Sequence, residues 1–113
     1  MTIKWVKVDP LVMNGEPFLY GSRLTVRQLL ELREHGYTLT EILKDHPELR
    51  VMGIASAYRY AGDHRAQYVD FFEADGSLTG IGLTAAEAAV LPPDLHIPGI
   101  VVTGDRLAAA PSR

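Results

Sequence analysis

Residue types that often carry out enzymatic chemistry are present in this sequence, but they do not stand at catalytic spacings. None of the four histidines is followed by a second one four residues later, which is the spacing of a helical zinc site. None of the serines lies in a Gly-x-Ser-x-Gly turn that would expose a nucleophile. The glycines at 80 and 82 lack the lysine of a phosphate-binding loop. We therefore predict a protein that is not an enzyme and holds no metal or other cofactor.

Arginines in residues 50–61 indicate a different kind of chemistry, the binding of nucleic acid. Apolar residues recur there at the spacing of one helix face, so polar side chains occupy the opposite face. Arg50 and Arg59 are far enough apart for one to contact a base edge while the other contacts a phosphate. The predicted DNA-binding residues are Arg50, Ser56, Arg59, Tyr60, Arg27 and Arg23. The alternative is that these are ordinary surface charges, with Arg23 in a structural ion pair within or between subunits.

Three short amphipathic helices, over residues 24–35, 38–45 and 50–61, are predicted to position these side chains. Thr38 and the glutamate three residues later fit a capping box, and Gly36 suits the end of the first helix. Each helix has one apolar stripe, so the three helices can bury their stripes only against one another. The second and third have the dimensions of a helix-turn-helix.

Short β-hairpins are predicted on either side of the three helices. Residues 3–8 and 18–20 read as strands around an Asn-Gly turn, and this ribbon leans on the helices. Because two strands alone are marginally stable, we expect the ribbon to pair with that of a second subunit. After the helices, strands over 68–73 and 77–83 flank an Asp-Gly turn. A short helix from 84 to 91 and a last strand over 97–103 complete an α+β, mainly α, fold.

The charge of the chain divides unequally between its two halves. Residues 1–62 contain eight Lys and Arg against seven Asp and Glu, whereas residues 63–113 contain three against seven. This division favours a near-neutral module over 1–62 and an acidic extension over 63–113 that binds something other than nucleic acid. The sequence has no cysteine and no apolar run of the roughly 20 residues that cross a bilayer. We expect a cytoplasmic protein without a membrane partner.

Residues 9–26, DPLVMNGEPFLYGSRLTV, resemble the opening signature of the domain-of-unknown-function family 433, which reads roughly D-P-x-V-x-x-G-x-P-x-I-x-G-T-R-I-x-V. The resemblance continues to about residue 62 through the segments HGYT, HPEL and AYRYA. Ser22 and Leu24 replace the usual Thr and Ile and keep their chemistry. Residues 50–53, by contrast, replace a capped and acidic helix start.

The resemblance implies a homeodomain-like helix-turn-helix and an antitoxin of the VapB type, encoded beside a PIN-like ribonuclease toxin. Such a protein binds operator DNA with one end and its toxin with the other. The toxin-binding residues expected on this basis lie in the acidic half and are Phe71, Phe72, Leu91 and Arg106. The implied function is neutralisation of the ribonuclease by direct binding, together with repression of the protein's own operon as a homodimer.

Two other functions remain open at the level of the sequence. One is a DNA-binding regulator without a toxin, in which the second half binds a ligand or builds the dimer. The other is a protein-interaction module with no role at nucleic acid. The apolar residues of the second half likewise allow two structures, a segment folded onto the helical core or an arm that orders on its partner.

Overall fold

The computed structural model describes residues 5–102, which form a mainly helical α+β fold as predicted. The strands are β1 (Val6–Lys7) and β2 (Phe18–Leu19). The helices are α1 (Val26–Glu34), α2 (Leu39–Asp45), α3 (Val51–Asp63) and α4 (Ala85–Ala88). Three 3-10 segments, Met13–Gly15, Arg65–Phe71 and Pro93–Leu95, complete the regular structure of this part of the chain.

Local capping interactions set the ends of the first three helices. Thr25 caps α1 in a reciprocal capping box, which the sequence analysis did not anticipate, and Thr38 forms the predicted box with Glu41 at α2. Gly36 follows α1 with φ of 91°, a left-handed conformation that favours glycine. Arg50 precedes α3 without a side-chain cap, as its poor capping propensity suggests.

The N-terminal ribbon packs on α3, as predicted, although its strands are shorter than expected. β1 runs antiparallel to β2 with Val6 opposite Leu19. The connecting turn includes Asn14, whose φ is 55°. Carbon atoms of the Trp5 indole approach to 3.2 Å of the point where a Cβ would stand on Gly53. A glycine in α3 therefore allows the ribbon to lie directly on the helix.

The predicted strand over residues 68–73 is wrong. Arg65–Phe71 continues the chain from α3 as two 3-10 turns interrupted at Tyr68, whose φ of −129° is not helical, and the first turn begins with a hydrogen bond from the Gln67 amide to the His64 carbonyl oxygen at 2.9 Å. In this conformation both Tyr68 and Phe71 are buried in the core. The demand for burial thus overrides the β-propensity of the segment.

In the predicted hairpin, the strand over residues 77–83 is present only as one antiparallel bridge between Leu78 and Phe72, because Gly80 and Gly82 have φ of 93° and 76° and interrupt the extended conformation. The Asp-Gly turn itself is present, with a hydrogen bond of 2.7 Å from the Glu73 amide to the Ser77 carbonyl oxygen. α4 is shorter than predicted, and residues 97–102 form turns and isolated bridges instead of a strand. Residue 103, in the predicted last strand, lies outside the described residues.

One hydrophobic core joins the two halves of the chain. Its buried members are Leu19, Val26, Leu29, Leu30, Leu39, Ile42, Leu49, Ile54, Ala55, Ala57, Tyr58, Ala61, Tyr68, Phe71, Leu78, Leu83, Leu91, Leu95 and Val101. Of the two structures left open for the second half, residues 63–102 adopt the one that folds onto the helical core.

Arg33 of α1 is completely buried, with an exposed fraction of 0%. Its Nε donates a hydrogen bond to the Thr79 carbonyl oxygen at 3.0 Å, and Nη1 donates to the Ile100 carbonyl oxygen at 2.7 Å. The guanidinium also lies over the Tyr58 ring, 4.7 Å from its centroid. Because a buried charge is stable only with hydrogen-bond partners, Arg33 fixes the second half of the chain against α1.

Close packing of Gly80 on Arg33 predicts a large loss of stability for Gly80→Ala. A Cβ at Gly80 would overlap the Arg33 carbonyl oxygen, whereas a Cβ at Gly36, which has a similar φ, meets no atom within 4 Å. We expect Gly36→Ala to lower the free energy of unfolding by about 1 kcal/mol and Gly80→Ala by about 3 kcal/mol or more. Urea unfolding measures both values. Equal losses would show that the close contact between Gly80 and Arg33 adds nothing to the cost of the substitution.

Two core tyrosines, Tyr58 and Tyr68, lie almost entirely out of contact with water. Burial raises the pKa of each phenol from 10.0 to about 12. The Tyr68 hydroxyl has no hydrogen-bond partner within residues 5–102. Ionisation of these phenols is therefore easier in the unfolded chain than in the folded one.

Stability is predicted to fall at alkaline pH for this reason. Between pH 10 and about 12 the unfolded state binds fewer protons than the folded state, so the stabilisation is complete below this range and is lost as pH rises through it. Tyr68→Phe should make the fall shallower. At neutral pH it should change the free energy of unfolding by less than about 1 kcal/mol, since it removes an unpaired hydroxyl. Urea unfolding at several pH values measures this, and superimposable profiles would contradict it.

Candidate functional site

The helix predicted to read DNA, α3, is covered on several sides by the protein itself. Trp5 packs on Gly53, and Ile100 lies against Gly62, where an added Cβ would come within 2.8 Å of its Cδ1. The 3-10 segment Pro93–Leu95 also packs against the helix. Only a narrow part of the helix surface therefore remains open to another macromolecule.

The open part of α3, here called the α3 stripe, consists of Met52, Ser56, Arg59 and Asp63, which follow one helix face. The Arg59 Nε lies 3.8 Å from the Asp63 carboxylate. Its Nη1 lies 3.5 Å from the Asp94 carboxylate and donates to the Asp94 carbonyl oxygen at 2.9 Å. One guanidinium thus faces two carboxylates, a balance that disfavours the approach of a phosphate backbone.

Tyr60, another predicted DNA-binding residue, belongs to an aromatic cluster. Its ring stacks on the His64 ring with centroids 3.9 Å apart, and the Tyr68 ring meets it edge-on at 6.4 Å. The His64 Nδ1 lies 2.9 Å from the Tyr60 carbonyl oxygen. Tyr60 is therefore half-buried and joins α3 to the segment that follows it.

The remaining predicted DNA-binding arginines differ in their surroundings. Arg27 is engaged, because its Nη2 donates to the Gln67 carbonyl oxygen at 2.9 Å and its guanidinium lies 5.1 Å from the Tyr68 ring centroid. Arg50 is exposed, and its Nη1 donates a long hydrogen bond of 3.4 Å to the Leu49 carbonyl oxygen. Arg23 is also exposed. The structure thus leaves two of these cations available on the surface.

The residues expected to bind a toxin lie mostly within the core. Phe71 and Leu91 are each 6% exposed. Phe72 is half-buried, and the Arg65 guanidinium covers its ring at 4.7 Å from the centroid. Arg106 lies outside the described residues. In this conformation Phe71 and Leu91 stabilise the fold and are not presented to a partner.

An acidic surface is the main feature that the second half presents instead. The six carboxylate residues of the acidic segment, defined as residues 63–102, are Asp63, Asp70, Glu73, Asp75, Glu87 and Asp94. All but Glu87 are exposed, and Arg65 is the single Lys or Arg of this segment. Val69 and Val90 are 67% and 69% exposed within it. A surface of this kind suits a cationic partner.

A second surface feature is an open groove between the ribbon and the turn that joins α2 to α3. The residues that line this ribbon groove are Leu11, Val12, Phe18, Gly21, Ser22, Arg23 and Glu48. Leu11 is 94% exposed, and Val8 and Tyr20 of the ribbon are more than half exposed. Exposed apolar side chains beside one cation and one anion are typical of a protein-binding surface.

Arg33 is the residue that sequence reasoning missed. A signal was available, because Val26, Leu29, Leu30 and Arg33 share one helix face, so the arginine occupies the apolar stripe of α1.

Within residues 5–102, no group of three metal-ligating side chains comes together. None of the helices in that range has the length and apolar character required to cross a membrane.

Comparison with known proteins places the first half of the chain in a family. No curated protein and no solved structure matches the chain. A model of the family described as "Protein of unknown function (DUF433)" matches residues 6–61, from β1 to the last turn of α3. Through these residues the chain belongs to the DUF433 family.

Proposed function

We propose that this protein is the antitoxin of a type II toxin–antitoxin pair and neutralises a PIN-like ribonuclease by binding it directly. The resemblance of residues 9–26 to the domain-of-unknown-function family 433, which implies a VapB-type antitoxin, supports this proposal. The charge of the acidic segment supports it independently, and this observation carries the argument because it specifies the surface that the partner must have.

A ribonuclease must attract the phosphate backbone of RNA, so its substrate-binding surface is basic. Five carboxylate residues of the acidic segment are exposed, and two of them, Asp63 and Asp94, also face Arg59 of α3. The one arginine of the segment, Arg65, lies over the Phe72 ring. Bound to the basic surface, the segment competes with RNA for the same cations, and one antitoxin masks one ribonuclease.

Apolar contacts in this complex come from side chains that are already exposed. Val69 adjoins Asp70, and Val90 follows α4, so both supply apolar area among the carboxylates. Phe72 contributes its exposed edge, whereas Phe71 and Leu91 act indirectly by holding the segment in place. Arg106, which the resemblance places among the toxin-binding residues, is assigned by analogy to contact with the acidic metal site of the nuclease.

Removal of two carboxylates, by Asp70→Asn together with Glu73→Gln, tests the proposed interface. We expect the dissociation constant for the ribonuclease encoded beside the gene to rise about tenfold, mainly through slower association, with a smaller effect at high salt. Surface plasmon resonance with the ribonuclease measures the constants. Titration of its RNA cleavage activity measures the stoichiometry.

The matched control is Glu31→Gln together with Glu34→Gln, which removes two exposed carboxylates from α1. This variant should bind as wild type does. If both double variants bind equally well, the acidic segment is not the binding surface. If the neighbouring ribonuclease is neither bound nor inhibited by the wild-type protein, the antitoxin function itself is wrong.

Repression of the protein's own operon is a second candidate, favoured by the exposed Arg50 at the start of α3. In this role the α3 stripe would lie against DNA, with Arg59 drawn away from the two carboxylates beside it. DNA affinity is then limited by Asp63 and Asp94, which repel phosphates and hold Arg59.

Asp94→Asn should therefore strengthen binding to the DNA upstream of the gene, by several-fold, if α3 reads DNA. Arg50→Ala should weaken binding and reduce the salt dependence by about one released counterion. Fluorescence anisotropy at several salt concentrations measures both effects. Binding that neither substitution alters would exclude this face of α3 as the DNA-binding surface.

A further inference from the structure

We propose that the ribbon groove is a self-complementary interface through which two copies of this chain form a symmetric dimer. The proposal rests on the chemistry of the groove alone and does not depend on the antitoxin function. A second copy of the chain occupies the groove, because the groove presents both charges of an ion pair on one surface.

The two charges come from different parts of the fold. Arg23 stands between β2 and α1, and Glu48 lies in the turn between α2 and α3, yet both line the groove. Arg23 is exposed and forms no ion pair or hydrogen bond within residues 5–102. Glu48 is exposed, and its carboxylate lies 3.8 Å from the His46 imidazole.

A two-fold axis pairs such charges twice. In a symmetric interface, residue i of one copy contacts residue j of the other, and j contacts i in return. Arg23 of each copy then meets Glu48 of the second copy, so both charges gain a partner of opposite sign. A purely acidic partner would repel Glu48, and a purely basic partner would repel Arg23.

The apolar part of the groove also suits a second copy. Leu11 lines the groove and is 94% exposed, so a large apolar side chain is left in contact with water. Phe18 lines the groove, and at Gly21 an added Cβ would meet no atom within 4 Å. The open space beside Gly21 is where Leu11 of the second copy inserts against the Phe18 ring.

Charge exchange between copies tests the pairing. Analytical ultracentrifugation should find the full-length wild-type protein dimeric, and Arg23→Glu and Glu48→Arg each monomeric, because each variant places like charges opposite one another. An equimolar mixture of the two variants should form heterodimers, since every contact then joins opposite charges. Lys44→Glu, a charge reversal at an exposed position of α2, is the matched control and should stay dimeric.

Leu11→Asp tests the apolar contact independently of the charges. We expect it to raise the dissociation constant of the dimer about tenfold or more, whereas Val69→Asp, at an exposed valine of the acidic segment, should leave it unchanged. Circular dichroism confirms that each variant is folded. A monomeric wild-type protein, or a variant mixture that stays monomeric, would overturn the proposal, as would dimers that Leu11→Asp does not weaken.

Discussion

The buried guanidinium of Arg33 is the interaction on which the arrangement of this molecule depends. Transfer of a cation into a core costs several kcal/mol unless polar groups surround it. Here the Thr79 and Ile100 carbonyl oxygens receive its hydrogen bonds, and the Tyr58 ring covers its face. These groups come from the loops of the second half and from α3. A stable core therefore requires those loops to close over α1.

This closure decides which surfaces are left for function. With residues 63–102 held on the helices, Pro93–Leu95 lies against α3 and the Asp94 carboxylate reaches Arg59. α3, the helix predicted to read DNA, becomes a central element of the core, with one narrow stripe open to solvent. The carboxylates of the acidic segment, the ribbon groove and Arg50 lie on the outside.

The features that the sequence predicts correctly are ones that depend on near neighbours in the chain. The Thr38 capping box, the left-handed Gly36 and the turn at Asn14 each involve a few consecutive residues, and all are present. The Arg33 contacts join residues 46 and 67 positions apart, so no local pattern reveals them. The same limit explains the wrong prediction in the second half. The β-propensity around Tyr68 and Phe71 favours a strand, but burial of these side chains favours the 3-10 conformation. The exposure of the predicted site residues could not be read from the sequence for the same reason. Arg50 is exposed and Leu91 is buried only as a result of the completed fold.

The position of Arg33 relative to the family match has a consequence for how this family can vary. Arg33 lies inside residues 6–61, whereas both carbonyl oxygens that receive its hydrogen bonds lie outside them. The stretch recognisable from sequence is therefore not the smallest unit that can fold in this chain. A relative that ends after the third helix must carry an apolar residue at this position or borrow acceptors from another subunit. The identity of that one residue would then indicate whether a relative possesses a comparable second half.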